Sequence, residues 1–250
     1  MSEEKLTKAQ KKELRKLEWQ EKAKSEARSA AIKKYSIWGG AILIVLAVIF
    51  GLIQIVNSPS SENGQSINVA PVSSKDITEG NPKSKIVLIE YADFQCPACA
   101  SYHPLVNQLL ADYSNKILYV YRMFPLTNLH PNSHISAQAA YAAYKQNKFF
   151  EMDDLLYNNQ TDWADQSDPR SIFTGYAKQL KLDVTKFQQD MNSQEAKDYV
   201  NNSENKALTE GMNATPTFIL DGVKIVNPQN YSDFKKLIDG EISKNESKTK

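Results

Sequence analysis

Two cysteines constrain this chain more than any other feature. Cys96 and Cys99 stand three residues apart and are the only cysteines among its 250 residues. No disulfide framework can therefore hold the fold, and a hydrophobic core has to stabilise it. The motif Cys-Pro-Ala-Cys follows an apolar run at residues 86–91 that suits a buried strand, and it precedes a helical pattern of apolar residues. The sequence thus predicts the order strand, CxxC, helix.

A CxxC motif at the start of a helix suits thiol–disulfide exchange. If Pro97 takes the first helical position, Cys96 lies at the N-cap, where unpaired backbone donors and the helix dipole favour its thiolate. Cys99, one turn later and pointing inward, is then the resolving thiol. Because Ala98 adds no charge, we expect the helix terminus to carry most of the thiolate stabilisation. We therefore expect a milder oxidant than a protein whose CxxC motif has a central histidine.

Two other interpretations of the cysteines stay open on the residues alone. They could be small buried side chains without a redox role. They could also bind copper or zinc together with His103, four residues after Cys99, although no second CxxC completes a tetrahedral set. On this interpretation the protein is a metal-binding chaperone module.

The N-terminal quarter predicts a membrane anchor. Residues 37–56 carry no charge, and twenty helical residues span roughly 30 Å, the thickness of a bilayer core. We predict a single uncleaved transmembrane helix, a signal anchor, in preference to a cleaved signal peptide. No Lys or Arg lies between Lys34 and Lys75, whereas lysines precede the span. The N-terminus is therefore predicted to be cytoplasmic and the rest extracytoplasmic.

Charge and composition differ between the N-terminal segment and the rest of the chain. Residues 1–34 hold eleven Lys or Arg against six Asp or Glu, which leaves nineteen against twenty-three for the rest. The main domain therefore lacks the excess of cations that a nucleic-acid surface needs. We predict a cytoplasmic polar helical segment at 1–36, a flexible linker at 57–75 and a folded domain at 76–245.

Patterns within that domain predict an α/β fold with a helical insertion. A second β-rich run lies at 117–121, and residues 132–211 are largely helical in pattern. Thr217–Leu220, Asp221-Gly222 and Val223–Val226 together predict a hairpin, since Asp-Gly suits a type I′ turn. The candidate helices are Ser133–Lys145, Phe149–Asn158, Asp168–Lys181, Ser193–Gly211 and a last one at about 231–244.

Three separated motifs resemble a known family. They are Tyr91–Ala100 around the CxxC, Tyr121–Leu126 with His130-Pro131, and Ala214–Phe218. Over about residues 76–240 the chain resembles the DsbA-like thioredoxin-fold thiol:disulfide oxidoreductases, in particular their membrane-anchored bacterial branch. The resemblance implies a thioredoxin-like fold with a helical insertion, preceded here by the predicted transmembrane helix.

The resemblance also implies further site residues. Pro216 is expected in the cis form opposite the CxxC, where it keeps metal from the thiols while the backbone of Thr215 binds a substrate strand. Pro97 and Ala98 would contact the same substrate. Glu90 matches a buried acid that exchanges a proton with the resolving cysteine. From the residues alone, an ordinary trans proline and a solvent-facing Glu90 are the alternatives.

A few other polar and aromatic residues have structural roles as the commoner explanation. We expect packing or ion pairing for Arg122, Phe124, His130 and Trp163. We expect His103 at the rim of the site.

The predicted function is disulfide formation outside the cytoplasm. The implied partners are reduced or unfolded secreted polypeptides and a quinone-linked membrane reoxidase, and no cofactor is expected. A reductase or isomerase would use the same residues in reverse. Threonine rather than valine precedes Pro216, which departs from the best-known members and leaves the redox direction open.

Overall fold

A six-stranded sheet forms the centre of the chain in a computed structural model that describes residues 65–247 together with Trp19. Its strands are β1 (Gln65–Ser66), β2 (Ile77–Gly80), β3 (Val87–Ala92), β4 (Leu118–Met123), β5 (Thr217–Leu220) and β6 (Val223–Lys224). Across the sheet they lie in the order β1-β6-β5-β3-β4-β2. Because β3 is parallel to β4, the connection between them has to cross one face of the sheet.

That crossover contains the first of eight helices in the described part of the chain. The helices are α1 (Pro97–Tyr113), α2 (Ser133–Tyr144), α3 (Phe149–Asn158), α4 (Gln160–Trp163), α5 (Arg170–Gln179), α6 (Val184–Met191), α7 (Gln194–Thr209) and α8 (Tyr231–Ser247). Helices α2 to α7 form the predicted insertion between β4 and β5. The predicted thioredoxin-like α/β architecture with a helical insertion is therefore confirmed.

The central strands β3 and β4 are buried on both faces of the sheet. Side chains alternate between the faces, so Leu88 belongs to one core and the adjacent Ile89 to the other. The larger core includes Leu109 of α1 and Phe234 of α8, and the smaller one includes Ala207 of α7. This alternation decides which polar side chains of the two strands face the cysteines.

Local sequence patterns predicted most of the helices and strands that the structure shows. The predicted hairpin is confirmed, with Asp221 at φ 50° and Gly222 at φ 82°, as its type I′ turn requires. Helices α4 and α6 and strands β1 and β2 have no counterpart in the sequence prediction. β2 is a four-residue edge strand with two exposed residues, so its apolar signal is weak.

The domain begins earlier than predicted. Residues 57–75 were expected to form a flexible linker, but β1 pairs with β6, and Ile67 and Val69 pack on the smaller core. The backbone of Ala70 accepts a hydrogen bond from Arg122 and donates one to Glu210. These contacts, which join positions far apart in the sequence, order the described part of that segment.

The structure does not describe the predicted membrane segment. Among the helices that the structure describes, none has the length and apolar character needed to cross a membrane. The predicted transmembrane helix at 37–56 lies outside the described residues, as does the segment 1–36 apart from Trp19.

Candidate active site

The two cysteines lie where β3 leads into α1. Cys96 is the N-cap of α1, with extended backbone angles (φ −70°, ψ 120°), and Pro97 follows at the first helical position. Both cysteines are free thiols and largely buried, with 7% of Cys96 and 1% of Cys99 exposed. Pro97 and Ala98 are exposed between them. An incoming group therefore meets the CxxC loop at its two central residues and at the edge of Cys96.

Cys96 is the thiol that ionises easily. The hydrogen bond from the Cys99 thiol lowers the pKa of Cys96 to about 5, with further help from the Thr215 side chain and the backbone N–H groups of Cys99 and Ala98. The helix terminus was expected to dominate, so the larger part played by Cys99 corrects that expectation. At neutral pH Cys96 is a thiolate, the form that attacks disulfides.

Thr215 and Pro216 lie against this sulfur. The Thr215–Pro216 peptide bond is cis, as the resemblance implied. As a thiol, Cys96 donates from Sγ to the Thr215 carbonyl oxygen across 3.4 Å. Within the described residues the Thr215 hydroxyl has no hydrogen-bond partner, so it is free to donate to the Cys96 thiolate. Asn227 Nδ2 holds the loop by donating to the Pro216 carbonyl at 2.7 Å.

Cys99 has the opposite electrostatics. Burial raises its pKa well above the usual value, and the nearby Cys96 and Glu90 add to the rise. Glu90 is itself 4% exposed, and burial raises its pKa to about 7 even though Tyr119 donates to its Oε2 at 2.6 Å. The predicted burial of Glu90 beneath Cys99 is thus what the structure shows.

Asp93 braces the loop before the cysteines, and its role was not predicted. Its Oδ1 accepts from the Gln95 N–H at 2.8 Å. Its Oδ2 pairs with His130 Nδ1 at 2.6 Å and accepts from the Leu126 N–H at 2.9 Å. Its carbonyl accepts from the Cys96 N–H at 3.0 Å. The sequence signal was available, since Asp93 lies inside the quoted motif Tyr91–Ala100.

The helical insertion also holds this loop. Gln160 of α4 donates from Nε2 to the Phe94 carbonyl at 2.7 Å and to the Cys96 carbonyl at 3.1 Å. Gln95 reaches in the other direction and donates to the Ala164 carbonyl at 2.7 Å. Gln160 is 64 residues from Cys96, so no local pattern could have identified it. The insertion therefore fixes the geometry of the cysteine loop.

The remaining predicted residues divide between core and polar clusters. Phe124 and Trp163 are buried in the cores, and Arg122 is ion-paired with Asp76, as their structural interpretation required. His103 was expected at the rim but is only 5% exposed, because α3 covers it and supplies two carboxylates to its ring.

The metal interpretation of the cysteines does not fit this geometry. In the described part of the chain, the group of histidine, cysteine and carboxylate ligands that converge within 4.8 Å is His103, Asp153 and Asp154. Neither Cys96 nor Cys99 joins it. The hypothesised set of both cysteines with His103 is therefore not formed.

Comparisons with known proteins support the thioredoxin-like fold. Residues 73–240 match the family described as Thioredoxin. The solved structure of α-DsbA1 from Wolbachia pipientis is 25% identical with a TM-score of 0.64, and the match covers 72% of this chain and 96% of that one. Oxidised BdbD from Bacillus subtilis has the same TM-score at 16% identity over 72% of this chain and 99% of that one, which shows the shared fold.

Curated relatives match over a shorter share of their own length. A protein of Salinispora tropica named Na(+)/H(+) antiporter NhaA 3 is 34% identical over 156 residues, which is 62% of this chain and 23% of the relative. The chain thus spans about a quarter of the length of the curated relatives it matches. The family match covers most of the chain, and its three motifs surround one cysteine pair. The chain therefore belongs to the thioredoxin family and is similar to its DsbA-like thiol–disulfide oxidoreductases.

Proposed function

We propose that this protein is an extracytoplasmic oxidase that introduces disulfides into reduced secreted polypeptides through the pair Cys96 and Cys99. The observation that carries the proposal is the asymmetry between the two sulfurs. One ionises at neutral pH at the edge of an exposed loop, and the other is buried with a raised pKa next to an acid. Disulfide exchange needs this division of roles.

Each turnover transfers two electrons from the substrate to the protein. A substrate thiolate attacks Sγ of Cys96 in the Cys96–Cys99 disulfide, the bond between the two cysteines breaks, and Cys99 leaves with the electron pair. A second substrate thiolate then attacks the substrate sulfur of the mixed disulfide. This step forms the substrate disulfide and releases Cys96 as a thiolate. If the substrate escapes slowly, Cys99 can instead resolve the mixed disulfide and restore the bond.

Glu90 supplies the proton that Cys99 needs. A buried thiolate whose pKa is raised is a poor leaving group unless it is protonated as it leaves. With a pKa of about 7, Glu90 is protonated in a large fraction of molecules at neutral pH and is the acid that interacts with Cys99. In reoxidation the same proton returns to Glu90.

The loop opposite the cysteines suits an extended substrate. Thr215 precedes β5 and lies against Cys96, so its backbone is placed to pair with a substrate strand, as in β-strand addition. Pro97 and Ala98 are exposed at the same place and provide a small apolar contact. Such a surface binds polypeptide backbone with little sequence preference.

The low pKa of Cys96 supports oxidation over reduction. A stabilised thiolate favours the dithiol form, and a protein with a stable dithiol form is a stronger oxidant. The reduced protein then needs an electron acceptor, for which we propose a quinone-linked membrane partner. A transmembrane helix at 37–56 would keep the domain beside that partner.

A refolding assay tests the proposal. Full-length protein is oxidised and mixed with a reduced, unfolded disulfide protein, and the formation of substrate disulfides is followed. Cys96→Ala should abolish the reaction, and Cys99→Ala should also form no substrate disulfides, because neither variant can carry the Cys96–Cys99 disulfide that accepts the electrons. Full activity of Cys96→Ala would overturn the proposal. A potential at or below about −270 mV against glutathione would instead favour the reductase.

A further inference from the structure

A small cavity lies beside Glu90. It leaves about 10 Å³ for the centre of a water-sized sphere, which is close to the minimum for holding one water molecule. Its polar lining consists of Glu90, His103, Asn107, Tyr119, Tyr121, Asp153 and Tyr157. A water molecule there would have the several polar partners that buried waters require.

Asp153 supplies an unused acceptor in this cavity. The residue is 5% exposed, and its Oδ1 has no hydrogen-bond partner among the described residues. A buried acceptor without a partner is costly, so it either binds water or carries a proton. Burial raises the pKa of Asp153 well above the usual value, and the charges of Glu90 and Asp154 raise it further.

His103 joins Asp153 to the surface. Its Nδ1 is 3.3 Å from Oδ2 of Asp153, and its Nε2 is 2.9 Å from Oδ1 of Asp154. Asp154 is 48% exposed, and Asn107 holds its Oδ1 at 2.8 Å. Each ring nitrogen faces a different carboxylate. The ring therefore lies between a buried and an exposed acid, within ion-pair distance of Asp153 and hydrogen-bonded to Asp154.

We propose that Asp153, His103 and Asp154 form a proton route that connects the buried pair of Cys99 and Glu90 with solvent through one water molecule in the cavity. The inference rests on the proposed function, because that reaction gives Glu90 a proton to lose. When Cys99 leaves with the electron pair of the broken disulfide, Glu90 gives it a proton. Asp153 then returns a proton to Glu90 through the water, His103 supplies Asp153, and solvent at Asp154 supplies His103.

The surroundings of Glu90 leave few other routes. The titratable groups that face it are Cys99 and His103 from α1, Tyr119 and Tyr121 from β4, and Asp153 and Tyr157 from α3. No lysine or arginine lines the cavity within the described residues. Burial raises the pKa values of the tyrosines well above the usual value. Apart from Cys99, Asp153 and His103 are thus the lining groups left to exchange protons with Glu90.

The rate of proton delivery separates this route from a structural role. Oxidised full-length protein is mixed with excess dithiothreitol, and loss of the Cys96–Cys99 disulfide is followed between pH 5 and 9, corrected for the thiolate fraction of dithiothreitol. His103→Ala should react roughly tenfold more slowly, less than the ~100-fold typical of losing a direct acid. Added imidazole should restore the rate by taking the place of the missing ring.

Three variants make the result decisive. His134→Ala removes an imidazole from α2, outside the site, and should react like the wild type. Glu90→Gln combined with His103→Ala should be slow and insensitive to imidazole, because the acid that the route serves is gone. Asp154→Asn, a milder change at the exposed end, should slow the reaction less and respond to imidazole, and it keeps the test available if His103→Ala fails to fold.

Each outcome bears on one hypothesis. The equilibrium constant with glutathione should stay within about twofold in His103→Ala, because a route changes the rate and not the equilibrium. An unchanged rate, or a slow rate that imidazole does not restore, would overturn the route while leaving the exchange reaction intact. If, in the refolding assay, wild-type protein forms substrate disulfides no faster than Cys96→Ala, the proposed function itself is refuted.

Discussion

Two buried polar clusters lie on opposite faces of strands β3 and β4, and they handle charge differently. The acidic cluster faces α1 and α3 and consists of Glu90, His103, Tyr119, Tyr121, Asp153 and Tyr157. The arginine cluster lies on the other face and consists of Asp76, Tyr91, Arg122 and Glu210. Glu90 and Tyr91 are adjacent in sequence, so one residue of register separates the two environments.

In the arginine cluster every charge has a partner. Arg122 donates from Nε to Asp76 at 3.0 Å and from Nη1 to the Tyr91 hydroxyl at 2.7 Å, and the Tyr91 hydroxyl donates to Glu210. Although burial by itself raises the pKa of Asp76, the hydrogen bonds from Ser73 and Arg122 give it a lowered pKa overall. Asp76 therefore stays ionised near neutral pH, and the cluster holds the early residues of the domain on the sheet.

In the acidic cluster the carboxyl groups have no cation among the described lining residues. Burial therefore raises the pKa values of Glu90 and Asp153, and protons take the place of counter-ions. The arginine on one face therefore stabilises the fold. On the other face, where no cation lines the described cavity, Glu90 and Asp153 can hold and exchange protons near Cys99.

The largest expected effect comes from breaking the arginine cluster. Arg122→Met leaves Asp76 and Glu210 buried without their cation, which typically costs about 3 to 5 kcal/mol of unfolding free energy. Urea denaturation at pH 7 measures it. Arg170→Met is the matched control, because its pair with Asp168 is exposed and should contribute less than about 1 kcal/mol. Equal effects would contradict the assignment of Arg122.

The second effect has the opposite sign and depends on pH. Because the pKa of Glu90 is about 7 in the folded protein and 4.5 in the unfolded chain, the unfolded chain ionises first, and stability falls as pH rises between those values. Below pH 4.5 it is neutral in both states and no penalty applies. Glu90→Gln should therefore gain up to about 3 kcal/mol at pH 8 relative to its effect at pH 4, at 1.36 kcal/mol per pKa unit. Urea denaturation of the dithiol form at both values checks this, and a pH-independent effect would contradict it.

The smallest effect comes from making the same Glu-to-Gln change in the arginine cluster instead of at Glu90. Glu210→Gln removes a carboxylate that accepts from Tyr91 and from the Ala70 N–H and lies 3.7 Å from Arg122. We expect a loss of about 1.5 kcal/mol at pH 8, the value of a hydrogen bond to a charged group. Stabilisation by Glu210→Gln would show that the two faces do not differ as described.

Several features followed from local sequence. The strand before Cys96, the helix after Pro97 and the turn at Asp221-Gly222 each depend on neighbouring residues, so patterns located them. The helical insertion was also predicted in outline. The order within the expected linker was not, because β1 is two residues long and pairs with β6, which is more than 150 positions away.

Roles that depend on distant partners were harder to predict. His103 has the spacing of an exposed helical residue or a metal ligand, and only the packing of α3 on α1 shows that it joins two aspartates. Gln160 and Asp153 carry no local signal at all. The sequence also did not predict that the Cys99 thiol lowers the pKa of Cys96 more than the helix terminus does. The position of that thiol depends on how α1 packs.

The sequence by itself located the cysteine pair and its local setting. With only two cysteines in a CxxC between a strand and a helix, the local backbone already places one sulfur at a helix N-terminus. Tertiary structure decided what surrounds that pair: the Thr215 loop beside Cys96, the brace from Gln160 and the acids beneath Cys99. The physical reason is that pKa values depend on burial and on nearby charges, and chain segments far apart in sequence supply both.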